Sequence, residues 1–286
     1  MPLDPLLLST AVEVALRAGE MQMASFGRDD LRVDKKGRID LVTDVDVAVE
    51  RMCRDLLRER FPYHRIQAEE LPDGGALGPV DEADDPASRA DGARHCWVLD
   101  PIDGTSNYAH GLPIFSCSLA LEIDGVIQIG VVLDPTRPEL YTAERGQGAY
   151  LNGRRLKVST ADQLVDSLLL TGFPYAVEEK ADEIVGLFGA FVKQARAVRR
   201  LGSAALDLCY VAAGRVEGFW EQGLKPWDIA AGSLMVEEAG GTVQGCDGQP
   251  FTIRRGHILA SNGRIQSAML EVIQSDAAKR SGNRTA

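Results

Sequence analysis

The run Trp97-Val-Leu-Asp-Pro-Ile-Asp-Gly-Thr105 constrains this chain more than any other segment: a short apolar strand leads directly into two aspartates, a proline and a glycine. As structure alone it is a turn, in which Pro101 presets one dihedral, Gly104 permits tight geometry and an aspartate caps its neighbours. As chemistry, Pro101 stiffens the turn so that Asp100 and Asp103 point into one space. At an effective dielectric of about 20, two carboxylates ~4 Å apart repel by roughly 4 kcal/mol, which a divalent cation offsets. Gly104 lets backbone approach an oxyanion, and the amides of Gly104 and Thr105 would open the next turn as a phosphate cradle.

Three further acidic elements accompany it. Glu69 and Glu70 follow an apolar stretch, Asp44 and Asp46 flank a helix start, and Asp228 begins a helix after Lys225-Pro-Trp. Singly, each has a plain explanation as a solvated pair, helix caps or one N-cap. Their combination with the central turn is what points to a site.

Hydrophobic periodicity predicts helices over residues 6–26, 47–61, 180–198, 203–213, 228–239 and 265–274. Strands are expected at 97–100, 116–123, 126–133, 140–144, 148–151, 167–171, 218–221, 241–245 and 258–261. Asp124-Gly125 is a hairpin turn. Residues 71–94, rich in Pro, Gly, Asp and Ala, read as an exposed, mobile loop, a surface insertion in preference to a lid. Helices and a meander up to about residue 155, then alternating helices and strands, predict helices layered on sheets. The expected division is 1–155, 156–275 and a frayed, disordered tail at 276–286.

The formal net charge is −11. An acidic chain without a basic stripe is a poor nucleic-acid binder, and it would repel an anionic substrate unless bound metal reversed the local sign. The five cysteines are scattered and the four histidines lack zinc spacing, so any metal must be held mostly by oxygen, which favours hard ions such as magnesium. The N-terminus has no charged leader and no spanning run, so the expected location is the cytoplasm, without membrane attachment.

Taken together, the motifs resemble those of the inositol monophosphatase family, within the lithium-sensitive magnesium phosphatases. Asp40-Leu-Val-Thr-Asp-Val-Asp46 resembles its first acidic segment and Gln67-Ala-Glu-Glu70 its glutamate pair. The central run, extended to Tyr108 and followed by His110-Gly-Leu-Pro113, is similar to its metal signature. Gly202-Ser-Ala-Ala205 resembles the substrate loop, and Trp227-Asp-Ile-Ala-Ala-Gly232 with Glu238-Ala-Gly-Gly241 the second signature.

That resemblance implies an α+β fold, a layered α-β-α-β-α sandwich of the sugar-phosphatase type, and a homodimer. It implies two to three magnesium ions. Glu69, Asp100 and the Ile102 carbonyl would hold one, Asp100, Asp103 and Asp228 a second, and Glu69 with water a weaker third. Asp46 would orient waters or the third ion, and Asp44 would act as a cap. Substrate would meet Ile102, Asp103, Gly104, Thr105, Gly202, Ser203, Ala204 and Asp228, with Glu221 accepting from a hydroxyl. Glu69 and Thr105 would position and deprotonate an attacking water, without a covalent phosphoenzyme.

The implied substrate is a small phosphate ester, foremost inositol monophosphate. Fructose 1,6-bisphosphate, 3′-phosphoadenosine 5′-phosphate and histidinol phosphate are the rivals, and a non-catalytic regulatory protein that binds another protein is the alternative class. Leu71 and the loop after it depart from the family pattern, while Lys225 and Thr171-Gly-Phe-Pro-Tyr175 resemble bacterial members. Arg199 and Arg200 read as a solvated helix end in preference to a second phosphate contact.

Overall fold

Helix α1 (Pro5–Ser25) begins where Asp4 caps it, the carboxylate accepting from the Leu6 amide with proline in the first turn. The computed structural model describes residues 3–71, 89–90, 93–174 and 177–283. A ribbon of β1 (Val33–Lys35) and β2 (Leu41–Thr43) leads into α2 (Asp44–Arg60). The cap of α2 is Thr43 rather than the expected Asp44. The Thr43 hydroxyl accepts from the amides of Val45 and Asp46, while Asp46 accepts in return from the Thr43 amide.

The large sheet comprises β3 (Arg65–Ala68), β4 (Arg89–Ala90), β5 (Ala93–Asp103), β6 (Ser116–Ile123), β7 (Val126–Asp134), β8 (Glu139–Glu144), β9 (Gly148–Leu151) and β10 (Arg154–Arg155). Its order is β10-β9-β8-β7-β6-β5-β3, with β4 paired to the start of β5. Every pairing is antiparallel except β3 with β5. The β6–β7 turn is Asp124-Gly125, both residues at positive φ, which matches the twist of a two-residue hairpin. Most of the 71–94 stretch, including any lid, lies outside the described residues.

The second half contributes β11 (Leu168–Thr171), α4 (Ala181–Val192), β12 (Ala197–Arg199), α5 (Ala204–Ala212), β13 (Gly218–Gln222), α6 (Pro226–Glu238), β14 (Thr242–Gln244), β15 (His257–Ser261) and α7 (Gln266–Asn283). The short α3 (Thr105–Ala109) follows β5. The strands form a mixed sheet of order β12-β11-β13-β15-β14. Two expectations are corrected here. The helix foreseen over 180–198 stops at Val192, and Ala197–Arg199 instead pairs in parallel with β11, a tertiary pairing that local periodicity does not contain. The frayed tail after Ser275 is helix as far as Asn283, with Arg280 paired to Glu183 and Asp276.

Three apolar cores bind five layers. Residues of α1 and α2 pack on one face of the large sheet through Val14, Val49, Trp97 and Leu119. The opposite face meets α5 and α6 through Val98, Val132, Leu208 and Leu234, and those helices also cover Phe219 and Ile258 of the second sheet. Leu187 of α4 and Met269 of α7 pack against Leu169 and Leu259 on its far side. The result is the α-β-α-β-α sandwich. Gly130 of β7 allows α6 its close approach, because a Cβ there would stand 2.8 Å from the Ala231 carbonyl oxygen. Among the described residues, no helix is long and apolar enough to cross a membrane.

Candidate active site

The site forms where β5 leaves the large sheet. Its pairing with β6 shifts register: Asp100 faces Ser118 and Asp103 faces Ser116, three steps on one strand against two on the other. On a regular strand, residues three apart point to opposite faces. The extra residue of this bulge turns Asp100 and Asp103 to the same side, at a place where Pro101 has no amide to offer the ladder. The parallel partner β3 ends with Ala68 beside Leu99, so Glu69 emerges next to Asp100.

These acids line one cavity of about 310 Å³ with Asp228 at the start of α6. Ile102, Gly104, Thr105, Gly202, Ser203, Ala204 and Glu221, all expected from sequence, share its wall. Asp100 is buried, and its Oδ1 accepts from the Ile102 amide at 3.0 Å. Burial, then the charges of Glu69, Asp103 and Asp228, push its carboxyl well above the usual range. Burial likewise raises Asp228, although the Lys225 amide donates to its Oδ2 at 2.7 Å.

Asp103 joins β5 to α5. Its Oδ2 accepts from the Ser203 hydroxyl and, at 2.9 Å, from the Ala205 amide, and its Oδ1 accepts from the Ala204 amide at 3.2 Å. Burial pushes the Asp103 carboxyl up to about 6 against the opposing pull of these donors. Gly104, at φ +101°, has no room for a side chain, since a Cβ would stand 3.0 Å from the Ile114 carbonyl oxygen and 3.2 Å from that of Gly202. Asn107 ties the same two loops by donating to the carbonyls of Ile114 and Leu201, both at 2.8 Å.

Asp46 stands behind the wall rather than in it. It is fully buried, its Oδ2 accepts from the amide and hydroxyl of Thr43, and its Oδ1 lies 3.0 Å from the Thr105 hydroxyl. That hydroxyl is also 2.9 Å from the Ile102 carbonyl, and its single proton serves one acceptor at a time. Burial raises Asp46 to about 6.

Lys36 and Glu50 join the site with no sequence signal, while Glu70 and Arg200 take places that sequence did not assign them. Lys36, from the β1–β2 ribbon, donates to Glu69 at 2.9 Å and to Glu70 at 2.5 Å. Burial pulls its pKa down, yet the two glutamates hold it above the ordinary value. Burial and the Glu69 charge push Glu70 up to about 8. Buried Glu50 of α2 fixes the pair's backbone by accepting from the amides of Glu70 and Leu71, at 2.6 and 3.0 Å. Arg200 lines the cavity, its guanidinium 5.2 Å from the Phe173 ring centre, and it follows a strand rather than ending a helix.

Among the described residues, no three side chains of Asp, Glu, His or Cys stand close enough together to hold a metal ion as they lie. The donor set nonetheless suits a hard cation. Glu69, Asp100, Asp103 and Asp228 are all oxygen donors around one space, Asp40 of the same wall has a buried Oδ1 with no partner, and a lysine ammonium already rests on the glutamates.

A family model described as the inositol monophosphatase family matches residues 5–279. The chain belongs to that family. A relative from Pseudomonas aeruginosa named Nus factor SuhB is 43% identical over 271 residues, 94% of this chain and 96% of that protein. The crystal structure of the extragenic suppressor protein suhB from Bartonella henselae superposes with a TM-score of 0.84 at 36% identity, covering 93% of this chain and 98% of that one. The inositol monophosphatase from Anabaena (Nostoc) sp. PCC 7120 gives a TM-score of 0.78 at 38% identity, covering 94% and 95%. Relatives of the family thus carry both an enzyme's name and a factor's name, and share this fold from end to end.

Proposed function

We propose that the chain hydrolyses a small, polar phosphate monoester with magnesium, inositol monophosphate being the leading substrate. The reading is carried by the meeting of Glu69, Asp100, Asp103 and Asp228 in one cavity that also presents the Glu221 carboxyl. Glu69, Asp100, the Ile102 carbonyl, Asp103 and Asp228 would hold two to three ions, Asp100 being shared. Bound there, magnesium supplies Lewis-acid activation of water and stabilises the charge of the leaving oxygen.

The chain's own residues position the reactants. Thr105, steadied by Asp46, orients the attacking water, and Glu69 takes its proton. The backbone at Gly104 and Thr105 meets the phosphate. Gly202, Ser203 and Ala204 border the leaving group, and Glu221 accepts a hydrogen bond from one of its hydroxyls. No cysteine or histidine is among the described residues of the wall, in keeping with direct displacement by water. A cytoplasmic homodimer inhibited by lithium completes the proposal.

The test is phosphate release from inositol monophosphate, fructose 1,6-bisphosphate, 3′-phosphoadenosine 5′-phosphate and histidinol phosphate, with and without magnesium. Magnesium-dependent turnover of the inositol ester is expected. Activity confined to a bisphosphate would reassign the substrate, and no turnover of any ester would end the enzyme reading.

A second reading, regulation through a protein partner, is favoured by the name Nus factor SuhB on relatives 42–43% identical. The net charge of −11 favours a protein over nucleic acid as the direct contact. Magnesium-dependent catalysis that survives loss of the partner would separate the two roles.

A further inference from the structure

Glu221 reaches the cavity from β13, and among the described residues no hydrogen bond fixes its carboxyl. Packing sets its position instead. β11 pairs in parallel with β13, Thr171 beside Trp220, so Gly172, just past the end of β11, follows on beside Glu221 of β13. A Cβ built at Gly172 would overlap all three atoms of the Glu221 carboxyl group. Gly172 is not among the glycines at positive φ, so its backbone conformation does not demand glycine. The space taken by the carboxyl does.

A second buried acid feels the Glu221 charge. Asp207 of α5 is 1% exposed, its Oδ1 has no partner, and its strongest charged neighbour is Glu221. The contact that locates the carboxyl is thus the bare backbone of Gly172.

We infer that Gly172 is a positioning residue for substrate choice: its bare Cα seats the Glu221 carboxyl where the hydroxyls of a polyol leaving group meet it. The inference rests on the phosphatase reading and names its substrate class, phosphate esters whose leaving group carries a free hydroxyl close to the ester oxygen. Because the group obstructing a Cβ is the free end of a flexible side chain and not backbone, alanine at this position turns the carboxyl aside while the fold persists.

The experiment compares wild type with Gly172→Ala on inositol monophosphate and on phenyl phosphate, which offers no hydroxyl, after melting curves have confirmed folding. The ratio of kcat/KM for the polyol ester over the aryl ester falls by about tenfold or more, mainly through KM for the polyol ester. Adding Glu221→Asp to Gly172→Ala shortens the acid by one methylene, vacates the space a Cβ needs, and recovers part of that ratio. An unchanged ratio, or an equal loss on both esters, overturns the inference. If wild type hydrolyses neither ester, the assignment of inositol monophosphate as substrate fails on its own, and the inference with it. Crystal structures of wild type and Gly172→Ala then decide the geometry: a displaced Glu221 carboxyl upholds the positioning role, and an unmoved one overturns it.

Discussion

The Thr105 hydroxyl lies 3.0 Å from Asp46 Oδ1, linking the turn after β5 to the first turn of α2. One carboxylate thus completes a capping box and steadies a hydroxyl of the cavity wall. Asp46→Asn replaces one acceptor oxygen by a donor, leaving either Thr43 or Thr105 without its bond. We expect a loss of about 1–3 kcal/mol in urea unfolding, together with slower turnover at an unchanged pH optimum.

Asp103 carries two duties. Asp103→Asn removes charge at the cavity and also one of the acceptors for the amides of Ala204 and Ala205. Turnover should fall by roughly a hundredfold or more. Calorimetry should record a lower melting temperature equivalent to about 1–2 kcal/mol. Near-wild-type rates would count heavily against the site.

Glu221 predicts a pH dependence. Burial, followed by the charges of Asp228 and Asp103, raises its carboxyl from 4.5 to about 8. The folded protein therefore holds this proton more tightly than the unfolded chain. Its contribution to stability is complete below about 4.5 and is lost as the pH rises through about 8. In chelator, unfolding free energy should decline across that window, and Glu221→Gln should flatten the decline. An identical slope in the variant would refute the assignment.

Gly130→Ala tests the fold rather than the chemistry. The added carbon meets the α6 backbone at Ala231 and not a flexible side chain. Denaturant unfolding should show a loss of about 1–3 kcal/mol, and any shift of α6 should also weaken magnesium binding through Asp228.

Much of this was legible in the chain itself. Strand β6 and strand β9 match their expected limits, since alternation and the bounding Asp-Gly and Asn-Gly pairs are local signals. The motif residues expected at the cavity line it, apart from Asp46, which supports the wall from behind. Thr43, not Asp44, caps α2, and a threonine three residues before an acid is a readable signal of it. Arg200 follows a strand and not a helix, because apolar Ala197 and Val198 fit either equally well and only pairing with β11 selects the strand.

The order of residues alone determined most of the helices and strands, where the tight turns fall, and which acids are available to a cation. Tertiary structure decided how they are used: the bulge that faces Asp100 and Asp103 the same way, the lysine laid across Glu69 and Glu70, and the carboxyl lodged against Gly172. The division has a physical cause. Backbone preference and periodicity act over a few neighbouring residues, whereas register, burial and charge proximity depend on partners tens of positions away.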